Sequence, residues 1–145
     1  MIDNSSSDPY DLNRFVEAQS VNYSAAIAEL RAGRKTSHWM WYVFPQVAGL
    51  GRSPMSERYA IRSEAEARAY LAHPLLGSRL IECFDALLNI EGKTAREIMG
   101  APDDLKLKSS ATLFTRVSDE CVFQNLLNKY FNGEQDIATL SILSN

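Results

Sequence analysis

The sequence predicts a single all-α domain, a compact multi-helix unit. Three observations predict it. Apolar residues recur at spacings of three and four along most of the chain, and serine or threonine caps stand just ahead of several of those runs. No stretch alternates apolar and polar residues as a half-buried strand would. At 145 residues, 46% of them hydrophobic and 23% charged, the chain has the size and composition of one domain with a real core. Residues 1–9, with Asp3, Asn4, three serines and Asp8, have almost nothing to bury and read as a mobile tail, leaving 10–145 as the domain.

The elements follow in order. Leu12, Phe15, Val16, Gln19, Tyr23, Ala26, Ile27 and Leu30 mark one face of a first helix, which Gly33 stops. Thr36–Gln46 is aromatic and β-branched, and periodicity alone leaves helix and strand open. Ser37 is placed to cap a short helix that Pro45 would end. Val47–Ser56, with Gly49, Gly51, Ser53 and Pro54, reads as loop.

Ser63 with Glu66 forms a capping-box pattern for a helix through Leu71, and Pro74 suits the first turn of the next. That helix carries Leu76, Leu80, Cys83, Phe84 and Leu87 before Gly92. Thr94 with Glu97 is a second capping box. Another helix is expected from about Pro102 to Val117, and one from Ser118 to Gly133 with Phe123, Leu126, Leu127, Tyr130 and Phe131 on one face. Asp136 is placed to cap a last turn through Leu143. No repeat of fixed length is visible.

Composition excludes several function classes. Net charge is −3, against the excess of Lys and Arg that general nucleic-acid binding needs, and the local basic group Arg31, Arg34 and Lys35 reads as a helix end. No segment reaches the roughly 20 apolar residues of a membrane helix, and the N-terminus lacks a secretory signal. Cys83 and Cys121 both sit in apolar helical patterns and read as buried thiols of a reducing, cytoplasmic setting. Their spacing fits no metal site, so neither a metal nor a cofactor is expected. Phosphate-binding, dinucleotide and nucleophile-elbow motifs are missing from the sequence, and with only His38 and His73 a histidine-based triad has few options. His73 precedes Pro74 at a helix junction, where a capping role is expected.

Two segments concentrate the remaining chemistry. One is the run His38, Trp39, Trp41, Tyr42 and Phe44, which holds both tryptophans: aromatic clusters are mostly core, yet they also wall ligand pockets. The other is the start of the helix after Pro102, where Lys106, Ser109 and Ser110 share a stripe with Leu113, Phe114 and Val117. A buried ammonium needs a partner, so Lys106 is expected to meet an acceptor, an anion or water; the plain alternative is a surface pairing with a nearby carboxylate. Asp104 and Lys108 stand at the spacing of an i,i+4 ion pair. Gln19 interrupts an apolar stripe and is either a structural bridge or a pocket residue.

The run Gly33-Arg34-Lys35-Thr36-Ser37-His38-Trp39-Met40-Trp41-Tyr42-Val43-Phe44-Pro45-Gln46 resembles the signature of a bacterial family, domain of unknown function 1810. The resemblance continues through Glu66-Ala67, Tyr70-Leu71-Ala72-His73-Pro74, Leu76-Gly77, Arg79-Leu80, Asp104, Lys106-Leu107, Ser109-Ser110 and Thr112-Leu113-Phe114. It implies an all-helical fold resembling a small α-horseshoe and carries no activity with it. Members are often labelled calpastatin, but such inhibitors are disordered in isolation, whereas this chain has ample core-forming residues.

Two functions of different class remain. In the first, Gln19, His38, Trp39, Trp41, Lys106, Ser109 and Ser110 gather around a small polar or anionic molecule, nucleotide-like or phosphorylated, with Lys106 supplying charge and His38 an acid–base group. Whether a reaction follows is left open. The second is a protein–protein interaction module without catalysis, which predicts a large exposed apolar patch. Polar residues interrupting apolar stripes favour the first.

Overall fold

A computed structural model describes residues 8–144. Residues 1–7 of the expected tail, and Asn145, lie outside the described residues. Asp8, assigned above to the tail, is bonded to the start of the first helix: its carboxylate accepts the backbone N–H groups of Leu12 and Asn13 at 2.8 and 2.9 Å. Those are two of the donors that a helix start leaves without partners.

The described residues form helices α1 (Asn13–Arg31), α2 (Met40–Val43), α3 (Pro54–Arg58), α4 (Glu64–Ala72), α5 (Pro74–Leu88), α6 (Ala95–Met99), α7 (Asp103–Val117), α8 (Cys121–Phe131) and α9 (Ile137–Leu143). Among them no strand forms; one parallel bridge joins Val47 to Ile61. The all-α prediction therefore stands. α5 packs on α1, α4 and α8, while α7 packs on α4, α6, α8 and α9, so these two helices organise the core.

The caps explain why the helices start where they do. The Ser63 hydroxyl accepts Glu66 N–H, and His73 Nδ1 accepts the N–H groups of Leu75 and Leu76, the expected capping role. Thr94 and Glu97 make a complete capping box, and Asp136 caps α9. Three local readings are corrected. Ser37 does not cap α2; Trp39 takes that position without a side-chain bond, because the Ser37 hydroxyl is turned to Glu29. The loop after Val47 ends earlier than its composition implied, since Ser53 caps a turn of helix beginning at Pro54. The Ser63–Glu66 box is one-sided: Glu66 bonds Arg62 N–H and Arg14 instead of the N–H of its own cap.

Aromatic side chains tie the packing together in an unbroken chain of rings. It runs Trp39, Phe44, Phe84, Phe123, Phe114, Tyr70, Phe15, Tyr59 and Tyr42, with centroid separations from 4.9 to 6.0 Å, and so leaves and re-enters the same short segment. Several of these meetings are edge-on, the geometry the ring quadrupoles favour. Where α4 turns into α5 the backbones nearly touch: a Cβ on Gly77 would stand 2.0 Å from the Leu71 carbonyl oxygen.

One buried cation braces this core. Arg14 is 6% exposed, and its guanidinium reaches five oxygens. Nε donates to the Arg58 carbonyl at 2.8 Å, one terminal nitrogen to Tyr10 and Asp11, and the other to Ala60 at 2.9 Å and to the Glu66 carboxylate at 2.7 Å. The charge is thereby neutralised and its donors are used, which is the condition for burying a cation without a large penalty.

Two further expectations fail. Cys83 is buried, but Cys121 opens α8 on the exposed side. Asp104 and Lys108 do not pair; Lys108 turns to Glu134, 3.7 Å away, and lies over the Phe131 ring.

Candidate functional site

The site begins where α1 ends. Gly33, at φ +77°, reverses the chain, and the following residues fold back over the last turn of the helix. The carboxylate of Glu29 holds them there. It accepts the backbone N–H groups of Thr36 and Ser37 at 2.8 and 3.0 Å, the indole N–H of Trp39 at 3.0 Å, and the Ser37 hydroxyl. Burial alone would push this carboxyl up. The Ser37 hydroxyl, Thr36 N–H, Trp39 indole and Ser37 N–H overcome it and bring Glu29 down to about 2.

Trp39 is thereby locked in the core at 0% exposure, while Trp41 is only half-buried. Trp39 stands at the cap position with non-helical backbone and Trp41 inside α2, so the two side chains leave the chain in different directions. A line of alternating charges and rings then joins this segment to the start of α7. Lys35 lies over the Trp39 ring at 5.0 Å and pairs with Asp103 at 2.9 Å. Asp103 faces Lys106 at 3.6 Å, and Lys106 lies over the Trp41 ring at 5.8 Å. The two segments singled out in the sequence thus meet at Trp41 and Lys106.

Beside Trp41 opens a cavity of about 250 Å³, walled by Gln46, Gly49, Gly51, Ser56 and Arg62 as well as the indole. The chain crossing here is set by two hydrogen bonds, Ala48 N–H to the Ile61 carbonyl and Ile61 N–H to the Gln46 carbonyl. Gly49 has φ +103°, and a Cβ on Gly51 would come within 2.5 Å of Ser56, so both glycines shape the wall. Glu57 and Tyr59 also line the cavity.

The other predicted site residues go elsewhere. Gln19 is the structural bridge: its amide nitrogen donates to the Tyr42 carbonyl at 2.7 Å and the Tyr70 hydroxyl at 3.0 Å, and its oxygen accepts from Arg79 at 3.4 Å. Ser109 donates to the Leu105 carbonyl within its own helix. Ser110 is fully buried, and its hydroxyl has no partner among the described residues; one oxygen of Asp104 is in the same position. His38 is exposed, and its ring makes no hydrogen bond among the described residues. Sequence reasoning missed the cavity wall, although two glycines, Ser56 and Arg62 lie directly after the aromatic run.

A wider groove of about 510 Å³ lies between the end of α1 and α5, lined by Arg31, Glu82, Asp85 and Lys93. Its charges balance, and Arg31 and Glu82 pair at 3.0 Å. None of the predicted residues lines it.

No helix among the described residues is long and apolar enough to cross a membrane. No curated protein matches this chain. Its backbone is similar to the crystal structure of the conserved hypothetical protein Rv1873 from Mycobacterium tuberculosis, with 52% sequence identity and a TM-score of 0.94; the match covers 95% of this chain and 99% of that one. The family model described as "Protein of unknown function (DUF1810)" matches residues 9–143. With nearly its whole length inside that family's pattern, the chain belongs to the DUF1810 family.

Proposed function

We propose that this protein binds a small polar or anionic molecule against Trp41, in the cleft walled by the indole and the 46–62 segment, with Lys106 over the same ring. One observation carries the reading: the half-buried indole of Trp41 has a cation 5.8 Å from its ring centre and a cavity of about 250 Å³ beside it. An aromatic wall, a few polar groups and a nearby charge are the usual composition of a small-ligand site. Lys106 is retained from the sequence reading as the charge, and His38 stands on the same short segment as the indole, exposed to solvent. Gln19, Trp39 and Ser109 contribute structure instead, because their polar groups are already bonded internally.

The test is thermal unfolding and tryptophan emission against a panel of nucleotides, ADP-ribose-like compounds and sugar phosphates. A ligand at about a hundred times its dissociation constant should stabilise by roughly 2.7 kcal/mol, a shift of several degrees in Tm. The shift should disappear in Trp41→Leu and weaken in Lys106→Ala. A shift that survives both substitutions places the ligand elsewhere. A flat response across the panel would favour the interaction module, whose exposed apolar residues (Val21, Leu75, Leu105 and Ile137) fall on four different helices.

A further inference from the structure

Resting on the Trp41 reading, we infer that the cavity takes an anionic heteroaromatic ring: a single planar ring with hydrogen-bonding edges and one carboxylate or phosphate. The size of the cavity comes first. At about 250 Å³ it falls below the range of roughly 300–1,000 Å³ typical for drug-sized ligands, so it accommodates one ring with its substituents and not a dinucleotide. The half-buried indole of Trp41 presents flat apolar surface, which suits a planar group and gives a sugar little.

The polar groups set the rest. The Gln46 carboxamide is half-buried at the cavity and makes no hydrogen bond among the described residues. A carboxamide offers a donor and an acceptor side by side, the complement of a lactam or amidine edge on a heterocycle. Arg62, solvent-exposed at the wall, makes no side-chain ion pair or hydrogen bond among the described residues, and its planar fork fits a carboxylate or phosphate with two parallel bonds. Lys106 stands over the same indole, outside the cavity lining, and pairs with Asp103. Glu57 is the one carboxylate in the wall and balances Arg62 there, so an anion must be read by the guanidinium fork itself. Ring stacking on Trp41, edge recognition by Gln46 and charge recognition by Arg62 together define the class.

The shared chemistry can come from a free ring carboxylate or from the pyrimidine end of a nucleotide, and the probes separate them. Orotate, uridine 5′-monophosphate, glucose 6-phosphate and inorganic phosphate are titrated by calorimetry and tryptophan emission into the native protein. Gln46→Ala, Arg62→Ala and Trp41→Leu are titrated alongside, with the unliganded Tm confirming that each variant folds. Gln46 and Arg62 serve the fold through their backbones, so truncating their side chains should leave Tm near native.

The expected result is binding of orotate, uridine 5′-monophosphate or both, weakened roughly tenfold or more by either Gln46→Ala or Arg62→Ala. Orotate alone identifies the free ring, and the nucleotide alone identifies the nucleotide end. If glucose 6-phosphate or phosphate binds in a Trp41-dependent way and the heterocycles do not, the site stands and the ring class is overturned. If all four probes fail, or bind equally well to Trp41→Leu, both the class and the Trp41 site are overturned.

Discussion

The carboxylate of Glu29 accepts the indole N–H of Trp39 at 3.0 Å, across ten residues of sequence. The same carboxylate holds Thr36 and Ser37, so one side chain at the end of α1 fixes the whole turn that leads into α2. Its folded-state pKa of about 2 lies below the value of 4.5 for an unperturbed Glu. A group depressed in this way contributes stability that is fully present above the unfolded value and is lost as pH falls through the folded one. Denaturant midpoints measured from pH 6 to pH 2 should therefore fall mainly between about 4.5 and 2. Glu29→Gln should lower the midpoint at pH 6 and flatten that dependence. An unchanged pH profile in the variant would remove Glu29 from this role.

Arg14 and Glu66 form a buried pair with side chains 6% and 4% exposed. Arg14→Ala strands the carboxylate and empties bonds to five oxygens, so a loss of about 3–5 kcal/mol is expected by urea unfolding. Glu66→Gln keeps the shape but removes the charge and one of the two acceptors that serve Arg14 and the Arg62 N–H, so it too should destabilise. Equal and small effects for the two would contradict the bracing role.

Thiol chemistry separates the two cysteines. Burial pushes Cys83 up to about 12, with the Tyr23 hydroxyl bond opposing it weakly, while Cys121 is exposed. The thiolate is the reactive form. A thiol reagent at pH 8 should therefore label Cys121 alone in the folded protein and both residues after denaturation. Rapid double labelling under native conditions would show that the α1–α5 contact around Cys83 opens readily.

Gly77 tests the closest backbone approach. Gly77→Ala puts a Cβ 2.0 Å from the Leu71 carbonyl, a rigid obstacle, so the helices must separate. A loss of about 2 kcal/mol or more in chemical unfolding is expected. A neutral outcome would mean that the α4–α5 junction relaxes freely.

Lys106→Ala should change unfolding stability by no more than about 1 kcal/mol, because its ion pair with Asp103 is loose and partly hydrated. Ligand affinity at Trp41 should drop in the same variant. A loss of several kcal/mol instead would make Lys106 a structural residue.

The helices were legible because their signals are local. Caps such as Ser63, His73, Thr94 and Asp136 act within three residues, and the stripe on α5 is set by its own spacing. The meeting of Lys106 with the aromatic run was legible only as two separate anomalies, and the partner turned out to be Trp41. Gln19 was correctly marked as needing an account, but its partners, Tyr42, Tyr70 and Arg79, lie 23 to 60 residues away. Glu29 gave no signal at all, since a glutamate near the end of a helix looks like an ordinary solvated residue until the chain folds back on it. Gln46, which ends the aromatic run, and Arg62 flank the loop and carried no signal of their own: loop composition announces a turn and says nothing of what the turn encloses.

The Arg14 clasp also bears on the order in which the chain assembles. Three of its acceptors, Arg58, Ala60 and Glu66, stand 44 to 52 residues along the chain, so closing it spends entropy that only long-range contacts return. The only helix within the 46–62 segment is the five-residue α3, so little local structure offsets that entropy in advance. The cavity wall should therefore be a late arrival in folding, native in its interactions only after α1, α4 and α5 have docked. Substitutions that weaken it would then speed unfolding and leave the refolding rate almost untouched.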